Sequence, residues 1–334
     1  MGDLNVAVLG GGSWGTTVAA LTTRNAPVTI WARNTEVVDK INAEQLNPKY
    51  LPDTKLPEGL KATNNLAQAV SQADLVVMGI PSHNFRNVLK EVGQHIRPWV
   101  PVVSLTKGLE LDTSMRMSEV IGEVLPDHPI GILTGPNLAR EIMAGQAAAS
   151  VIAMEDEIIV KSLQRVFKSG LFRVYTNTDV VGCELGGVLK NIVAIAVGMG
   201  DQLGAGDNTR AALITRGLAE VTRLGVAMGG RAETFAGLAG MGDMIATCTS
   251  SQSRNRHVGM ELGKGKSMEQ IAEEMFMVAE GAKSAPAVMA LADKYGVDMP
   301  IARDVYRVVS GEMNARGAYR GLLRTTAGSE AEPG

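Results

Sequence analysis

Two lysines in this chain stand where their surroundings could give an ammonium chemistry to do. Lys190 lies in G-G-V-L-K-N-I-V-A-I-A-V-G, where every neighbour except Asn191 is apolar or glycine. An ammonium in such a helix must snorkel to water, pair with an anion, or lose its proton easily. A lysine with a depressed pKa can donate and accept protons near neutral pH, which is the work of a general acid or base. Lys107 closes an apolar strand in P-V-V-S-L-T-K-G-L-E. Open α/β sheets bind ligands outside the carboxyl ends of their strands, so a cation there faces the ligand, although an ordinary loop lysine reads the same way. Asp243, between a glycine and an apolar run in M-G-D-M-I-A, is a candidate ion-pair partner for Lys190.

A second constellation is S-S-Q-S-R-N-R-H-V-G. Ser253 or Ser251 can cap a helix beginning near Arg254. Arg254, Asn255 and Arg256 then gather at a helix N-terminus, where a cation opposes the dipole. An anion placed there reverses that cost and gains bidentate hydrogen bonds, so the cluster suits a phosphate on substrate or cofactor as well as it suits a solvated basic turn. Thr134-Gly135-Pro136-Asn137 follows the I-G-I-L strand and could present backbone groups and the Asn137 amide to a substrate. Ile80-Pro81-Ser82 could flank a nicotinamide ribose. Turn chemistry explains both segments equally well. Glu280-Gly281 is either a helix end or a cofactor contact, and nothing local decides between them.

The chemistry that these groups would serve is indicated near the N-terminus. The run V-A-V-L at 6–9 reads as a buried parallel strand, and Gly10-Gly11-Gly12-Ser13-Trp14-Gly15 follows at once. A helix-compatible run, T-T-V-A-A-L-T-T-R, and a second β-branched run at 28–31 complete a βαβ context for G-x-G-x-x-G. Gly10 permits the tight turn, Gly12 lets backbone approach a pyrophosphate, and Gly15 lets helix pack on strand. Glycine is 38 of 334 residues, so the motif is informative only because strand, helix and second strand flank it. An NAD enzyme usually carries an acid at the end of the second strand. Here Arg33 stands in that region and no acid occurs before Glu36, which favours a ribose 2′-phosphate and NADP(H) over NAD(H).

The elements that must position these residues divide the chain in two. Strands are expected at 6–9, 28–31, 75–80, 101–105, 130–133 and 149–153, with a further edge at 173–175. Helices are expected at 35–44 and 63–70, with Asn64 or Asn65 as a cap, and a proline-marked loop at 47–59. The alternation predicts an α/β fold, a doubly wound parallel sheet with helices on both faces. Beyond about residue 180 the pattern becomes helical in period, with helices at 183–198, 209–228, 254–263, 268–275, 284–295 and 301–309. The organisation expected is a dinucleotide-binding domain over 1–180, an all-helical substrate domain over 181–322, and a disordered tail over 323–334.

Bulk properties narrow the classes. With 45% hydrophobic and 20% charged residues the chain is globular, and a net charge of −3 with 4% aromatics offers neither field nor stacking platform for nucleic acid. Two cysteines, Cys183 and Cys248, point to a reducing compartment, and no signal peptide or lipidation signal is read at the N-terminus, so a cytoplasmic location is expected. The longest apolar stretch, 180–199, contains Glu184, Lys190 and Asn191 and is read as too short and too polar to span a membrane. The four histidines show no metal-ligand spacing.

Taken together, the glycine loop, N-P-K-Y-L-P, S-L-T-K-G-L-E, T-G-P-N-L-A-R-E, E-L-G-G-V-L-K-N-I-V-A-I-A-V-G, N-T-R-A-A-L-I-T-R-G-L, G-M-G-D-M-I-A-T-C-T-S, S-R-N-R and V-A-E-G resemble the bacterial NAD(P)-dependent glycerol-3-phosphate dehydrogenases. The similarity runs from about residue 5 to residue 322. It implies a Rossmann domain and a helical domain with the site between them, and reversible reduction of dihydroxyacetone phosphate to sn-glycerol 3-phosphate, a precursor for phospholipid synthesis. The resemblance makes Lys190 the proton donor and acceptor. It assigns substrate contacts to Lys107, Gly135, Asn137, Lys190, Asp243, Ser253, Arg254 and Asn255. Cofactor contacts fall to Ser13, Trp14, Arg33, Lys107, Ala139, Arg254, Val278 and Glu280, beside the loop glycines Gly10, Gly12 and Gly15. NADP(H) and NAD(H) are the cofactors implied, and the partners are a small phosphorylated substrate, no nucleic acid, no stable membrane insertion and, left open, a homodimer. Asn137 departs from the Ser or Thr more usual in the family, and the loop begins T-G-P rather than S-G-P. A β-hydroxyacid reductase would share the architecture and the lysine but needs a carboxylate clamp, whereas S-R-N-R suits phosphate. A nonenzymatic NADP(H)-sensing protein would bind cofactor without needing Lys190.

Overall fold

The computed structural model describes residues 4–275 and 279–324, which fall in two compact units. One comprises Met1–Thr106 and Arg116–Val180, the other Lys107–Met115 and Val181–Gly334.

The first unit is built on strands β1 (Val6–Leu9), β2 (Val28–Trp31), β3 (Leu46–Asn47), β4 (Leu51–Lys55), β5 (Leu60–Thr63), β6 (Leu75–Met78), β7 (Val102–Ser104), β8 (Ile130–Thr134), β9 (Ala148–Met154) and β10 (Phe172–Asn177). Eight of them form one sheet in the order β10-β9-β8-β7-β6-β1-β2-β5. The segment β5-β2-β1-β6-β7-β8 has the doubly wound order, with its switch point between β1 and β6. The V-A-V-L and L-V-V-M runs of β1 and β6 are buried throughout, as strands covered on both faces require.

Three features depart from the sequence reading. The sheet is not wholly parallel, because β9 runs antiparallel to β8 while β10 runs parallel to β9. The expected loop at 47–59 contains the antiparallel ribbon β3–β4, held around a bulge between Leu46 and Asn47. L-K-A-T at 60–63, which has no β-branched run, becomes β5 through its register with β2, from Val28↔Leu60 to Trp31↔Thr63. Helix Leu66–Val70 starts later than expected for this reason, capped by Asn65, whose side chain accepts from the Gln68 amide. Helices Ser82–Gly93, Met117–Val124 and Glu157–Phe167, absent from the sequence reading, pack in the same unit.

The second unit is helical: Val180–Gln202, Asp207–Ala227, Ala232–Phe235, Asp243–Thr249, Arg254–Gly263, Met268–Glu274, Glu280–Tyr295, Pro300–Val309 and Ala315–Arg324. Glu280–Tyr295 begins a full turn before the expected start and carries Pro286 inside it. Ala315–Arg324 continues past 322, so the first two residues of the expected tail are helical, and the remainder of it lies outside the described residues. Helix Val180–Gln202 corrects another expectation. It has 23 residues and a window of mean hydropathy 1.8, long and apolar enough by length and composition to cross a membrane. That window is 94% buried inside the protein, so its apolarity is that of a core helix. Leu189, Ile192, Val193 and Ile195 pack there with Leu109. Leu109, with no exposed surface, is why residues 107–115 belong to this unit despite following a strand of the other.

Candidate functional site

The helical unit brings Lys107, Lys190 and Asp243 together. Lys190 Nζ lies 2.7 Å from Asp243 Oδ1, and Lys107 Nζ lies 2.6 Å from Asp243 Oδ2. One carboxylate therefore bridges two ammonium groups. Lys190 also donates to Thr247 Oγ1, and the Thr247 hydroxyl lies 3.3 Å from Asp243 Oδ1. Asp243 side-chain exposure is 2% and that of Lys190 is 6%, against 19% for Lys107. Burial pushes the Lys190 pKa down to about 8; Asp243 works against this and the Lys107 charge adds to it. Two cations sharing one anion in a dry site is the arrangement that makes an ammonium a ready proton donor.

Glycines let the backbones come this close. A Cβ on Gly186, one turn before Lys190, would sit 2.6 Å from the Ala239 carbonyl oxygen. Ala239 belongs to a π-turn, Leu238–Gly242, that leads directly into Asp243. Such insertions re-aim the residue that follows them. A Cβ on Gly198 would meet the Arg256 carbonyl at 2.1 Å, and one on Gly259 the Ile195 carbonyl at 2.1 Å, so helices Val180–Gln202 and Arg254–Gly263 cross nearly backbone to backbone.

That crossing sets S-R-N-R beside the lysine helix. Ser253 caps helix Arg254–Gly263, its side chain accepting from the Arg256 amide. Asn255 is buried. Its Oδ1 accepts from the Gly281 amide at 3.0 Å, and its Nδ2 donates to Asn191 Oδ1 at 2.9 Å. Asn191 in turn donates to the Lys107 carbonyl at 3.3 Å. Arg256, by contrast, is committed to Asp201 at 2.6 Å. Crowding lowers the Arg254 pKa by loss of hydration, with Glu280 opposing. Its surface is nonetheless exposed, so an anion can reach it. Glu280 is the first residue of helix Glu280–Tyr295, and Val278 lies outside the described residues.

The other unit carries the dinucleotide loop. Gly10 has φ +120°, and a Cβ there would sit 2.3 Å from the Gly79 carbonyl oxygen; a Cβ on Gly15 would sit 2.1 Å from the Gly10 carbonyl. Packing alone demands both glycines. Gly12 differs: a Cβ there would meet nothing within 4 Å. The space is open beside the N-terminus of helix Ser13–Thr22, whose first turn has no acid and whose cap has no side-chain bond. A phosphate fits these facts, since it accepts the unpaired amides and explains the bare backbone. Trp14 stacks edge-on with Phe172 at 6.3 Å, its buried Nε1 having no partner among the described residues. Arg33 is exposed just beyond β2. Gly135 follows β8 at φ +133°, and Asn137 Nδ2 donates to Ser150 Oγ at 3.3 Å while its buried Oδ1 has no partner among the described residues. Ala139 opens helix Ala139–Met143, which packs on helix Ser13–Thr22.

A family model described as NAD-dependent glycerol-3-phosphate dehydrogenase N-terminus matches residues 5–160, and the corresponding C-terminus model matches residues 179–320. The chain belongs to the NAD-dependent glycerol-3-phosphate dehydrogenase family. It is 67% identical over 331 residues to glycerol-3-phosphate dehydrogenase [NAD(P)+] 2 of Sphingopyxis alaskensis, covering 99% of each chain. It is 54% identical to glycerol-3-phosphate dehydrogenase [NAD(P)+] of Mycobacterium avium, covering 99% of this chain and 97% of that one. A crystal structure of glycerol-3-phosphate dehydrogenase from Coxiella burnetii superposes with a TM-score of 0.92 at 37% identity, covering 97% and 99% of the two chains. The chain is thus an NAD(P)-dependent glycerol-3-phosphate dehydrogenase.

Within this dehydrogenase the sequence reading missed two neighbours of the lysine pair. Thr247 follows Asp243 by four residues on helix Asp243–Thr249, and an i, i+4 pair shares a face, so D-x-x-x-T could have flagged it. In the sequence Asn191 stands out only as the polar neighbour of Lys190. Its bonds to Asn255 and to residue 107 span 64 and 84 positions, a distance no local pattern covers. Cys183 and Cys248 are buried and form no disulfide.

Proposed function

We propose that Lys190 is the proton donor and acceptor of this dehydrogenase, and that the enzyme works in the cytoplasm to supply sn-glycerol 3-phosphate for phospholipid synthesis. The observation that carries the proposal is the Lys190–Asp243–Lys107 bridge, with a buried Lys190 whose pKa is about 8. When bound, the nicotinamide would supply a hydride to the ketone carbon of dihydroxyacetone phosphate. Lys190 gives its proton to the carbonyl oxygen as negative charge grows there, and Lys107 stabilises that oxygen. Once Lys190 is neutral, Asp243 keeps its charge balanced by Lys107, so the site never holds an unpaired buried anion. In the reverse direction neutral Lys190 takes the hydroxyl proton.

Arg254 and Asn255 bind the substrate phosphate. Arg254 offers a fork of donors, and Asn255 has one Nδ2 hydrogen left after its bond to Asn191. Ser253 supports this grip by fixing the helix start, and the family resemblance assigns further substrate contacts to Gly135 and Asn137. The dinucleotide pyrophosphate is held by Gly10, Gly12, Ser13, Trp14 and Gly15, with Arg33 for the 2′-phosphate. Ala139, Lys107, Arg254, Val278 and Glu280 are assigned further cofactor contacts.

The test compares Arg254→Ala with the wild type on dihydroxyacetone phosphate, unphosphorylated dihydroxyacetone and a β-keto acid. The phosphate reading expects a KM for dihydroxyacetone phosphate raised about 10²-fold, worth roughly 2–3 kcal/mol, as for a lost charge-assisted pair. It also expects poor turnover of the other two substrates by both proteins. A folded variant with unchanged KM moves the phosphate elsewhere.

A further inference from the structure

N-P-K-Y-L-P belongs to neither the glycine loop nor the lysine site, yet Asn47 has no exposed surface. Its Nδ2 donates to the Gly11 carbonyl oxygen at 2.9 Å and to Thr16 Oγ1 at 2.8 Å. The Gly11 carbonyl fixes the orientation of the amide, because a carbonyl can only accept and the opposite flip would set two oxygens face to face. Both Nδ2 hydrogens are used, while Oδ1 is buried without a partner among the described residues. A buried orphan acceptor costs stability. Packing alone would be better served by an apolar residue, so the amide is retained for its two donors.

The Gly11 carbonyl is half of the Gly11–Gly12 peptide. In a trans peptide the C=O and the following N–H point in opposite directions. Drawing the Gly11 oxygen toward Asn47 therefore turns the Gly12 amide away from it. Gly11 and Gly12 are the residues least able to hold a peptide plane by themselves, since neither has a Cβ to restrict rotation. The second leg, to Thr16, ties the same amide to the first turn of helix Ser13–Thr22. The ribbon adds a further tie, Ser13 Oγ donating to the Tyr50 carbonyl at 3.1 Å. Asn47 is itself fixed by the β3–β4 pairing opposite Leu51.

We infer that Asn47 is a positioning residue for the dinucleotide: it locks the Gly11–Gly12 peptide in the orientation that offers N–H rather than C=O to the pyrophosphate. The inference rests on the reading that the glycine loop holds the pyrophosphate. Without the lock the peptide samples both orientations, and a carbonyl oxygen turned toward a phosphate repels it.

The experiment is Asn47→Leu, near-isosteric and without donors, in the full chain. Dissociation constants are measured by titration for NADPH, for ADP-ribose, which contains the pyrophosphate, and for 2′-AMP, which lacks it. Unfolding temperature and steady-state kinetics are measured alongside. The expected result is a rise of about 10-fold or more in the dissociation constants of NADPH and ADP-ribose, with 2′-AMP within about twofold of wild type. KM for NADPH should rise in step, and kcat at saturating NADPH should fall by no more than about twofold. A purely structural role would lower the unfolding temperature and treat the three ligands alike, which overturns the inference. So does a folded variant that keeps the wild-type preference for ADP-ribose over 2′-AMP. If wild-type protein itself shows no such preference, the loop is not the pyrophosphate site, and the inference falls with that reading. Should Asn47→Leu fail to fold, Asn47→Val, which is smaller, suits a strand and likewise has no donor, carries the same expectations.

Discussion

Replacing Lys190 by methionine removes the ammonium and keeps the length and apolar character of the side chain. In the wild type, burial lowers the Lys190 pKa from 10.5 to about 8. At pH 7 the neutral fraction rises from about 0.03% to about 9%, roughly 300-fold, while about nine-tenths remains protonated. The same group can thus serve reduction as acid and oxidation as base. The methionine variant loses both, and removal of a general acid–base typically costs about 10²–10⁴-fold in rate. The fold should survive. Asp243 keeps Lys107 at 2.6 Å and the Thr247 hydroxyl, so the substitution strands no buried charge, and stability should change by less than about 1–2 kcal/mol. Single-turnover hydride transfer, followed by NADPH absorbance in a stopped-flow instrument, should fall by at least about 10²-fold, with NADPH affinity within a few-fold of wild type. The wild-type pH profiles give an independent reading. Reduction needs the protonated lysine and should decline as pH rises through about 8, whereas oxidation needs the neutral lysine and should rise through the same pH. Both profiles should lose that step in the variant. Hydride transfer within tenfold of wild type in a folded, cofactor-binding Lys190→Met protein would refute the assignment and leave Lys107 as the candidate acid.

Gly12→Ala should fold normally, because its Cβ meets nothing within 4 Å, yet bind NADPH at least about tenfold more weakly. Gly15→Ala, whose Cβ would lie 2.1 Å from a carbonyl oxygen, should instead lose stability by more than about 2 kcal/mol; calorimetry and titration on both variants check the contrast, and equal melting temperatures would contradict it. Arg33→Asp should weaken NADPH selectively by about 1–3 kcal/mol in kcat/KM, and matching changes for NADH would exclude Arg33 as the 2′-phosphate partner. Glu220, buried and accepting from the Ile301 amide at 2.8 Å and the Ala302 amide at 3.1 Å, has its pKa pushed up by burial to about 7. Between about pH 4.5 and 7 the folded protein binds the extra proton, so this group's contribution to stability falls as pH rises, by up to about 3 kcal/mol. The difference in unfolding free energy between wild type and Glu220→Gln should follow that slope, and a difference flat across the window would contradict it.

Much of the fold could be read from local pattern because its signals are local. V-A-V-L followed by G-G-G-S-W-G is a strand, a turn only glycines can make, and a helix start, all within ten residues. Helix Thr35–Glu44 and helix Arg254–Gly263 begin and end where periodicity and caps put them, the latter because Ser253 closes its own first turn. β5 was not legible, and β9 only in part. L-K-A-T gains its strand form from pairing with β2, and the direction of β9 relative to β8 depends on how the chain returns to the sheet, which no residue in A-S-V-I-A-M encodes. The apolarity of residues 180–202 was visible, but a core helix and a membrane span share that composition, and only the surrounding helices tell them apart.

The sequence by itself determined which residues could do chemistry: a lysine among apolar residues, arginines at a helix start, a glycine-rich loop between a strand and a helix. It could not determine their company. Lys107 reaches Asp243 across 136 positions and Asn47 reaches Gly11 across 36, and elsewhere Gly186 and Gly10 let backbones distant in sequence approach closely. Caps, turns and periodicity act over a few residues and are written in order along the chain. The pKa of Lys190 comes from water excluded by distant helices and from charges brought to within 3 Å of one another, quantities that arise only once the chain has closed on itself.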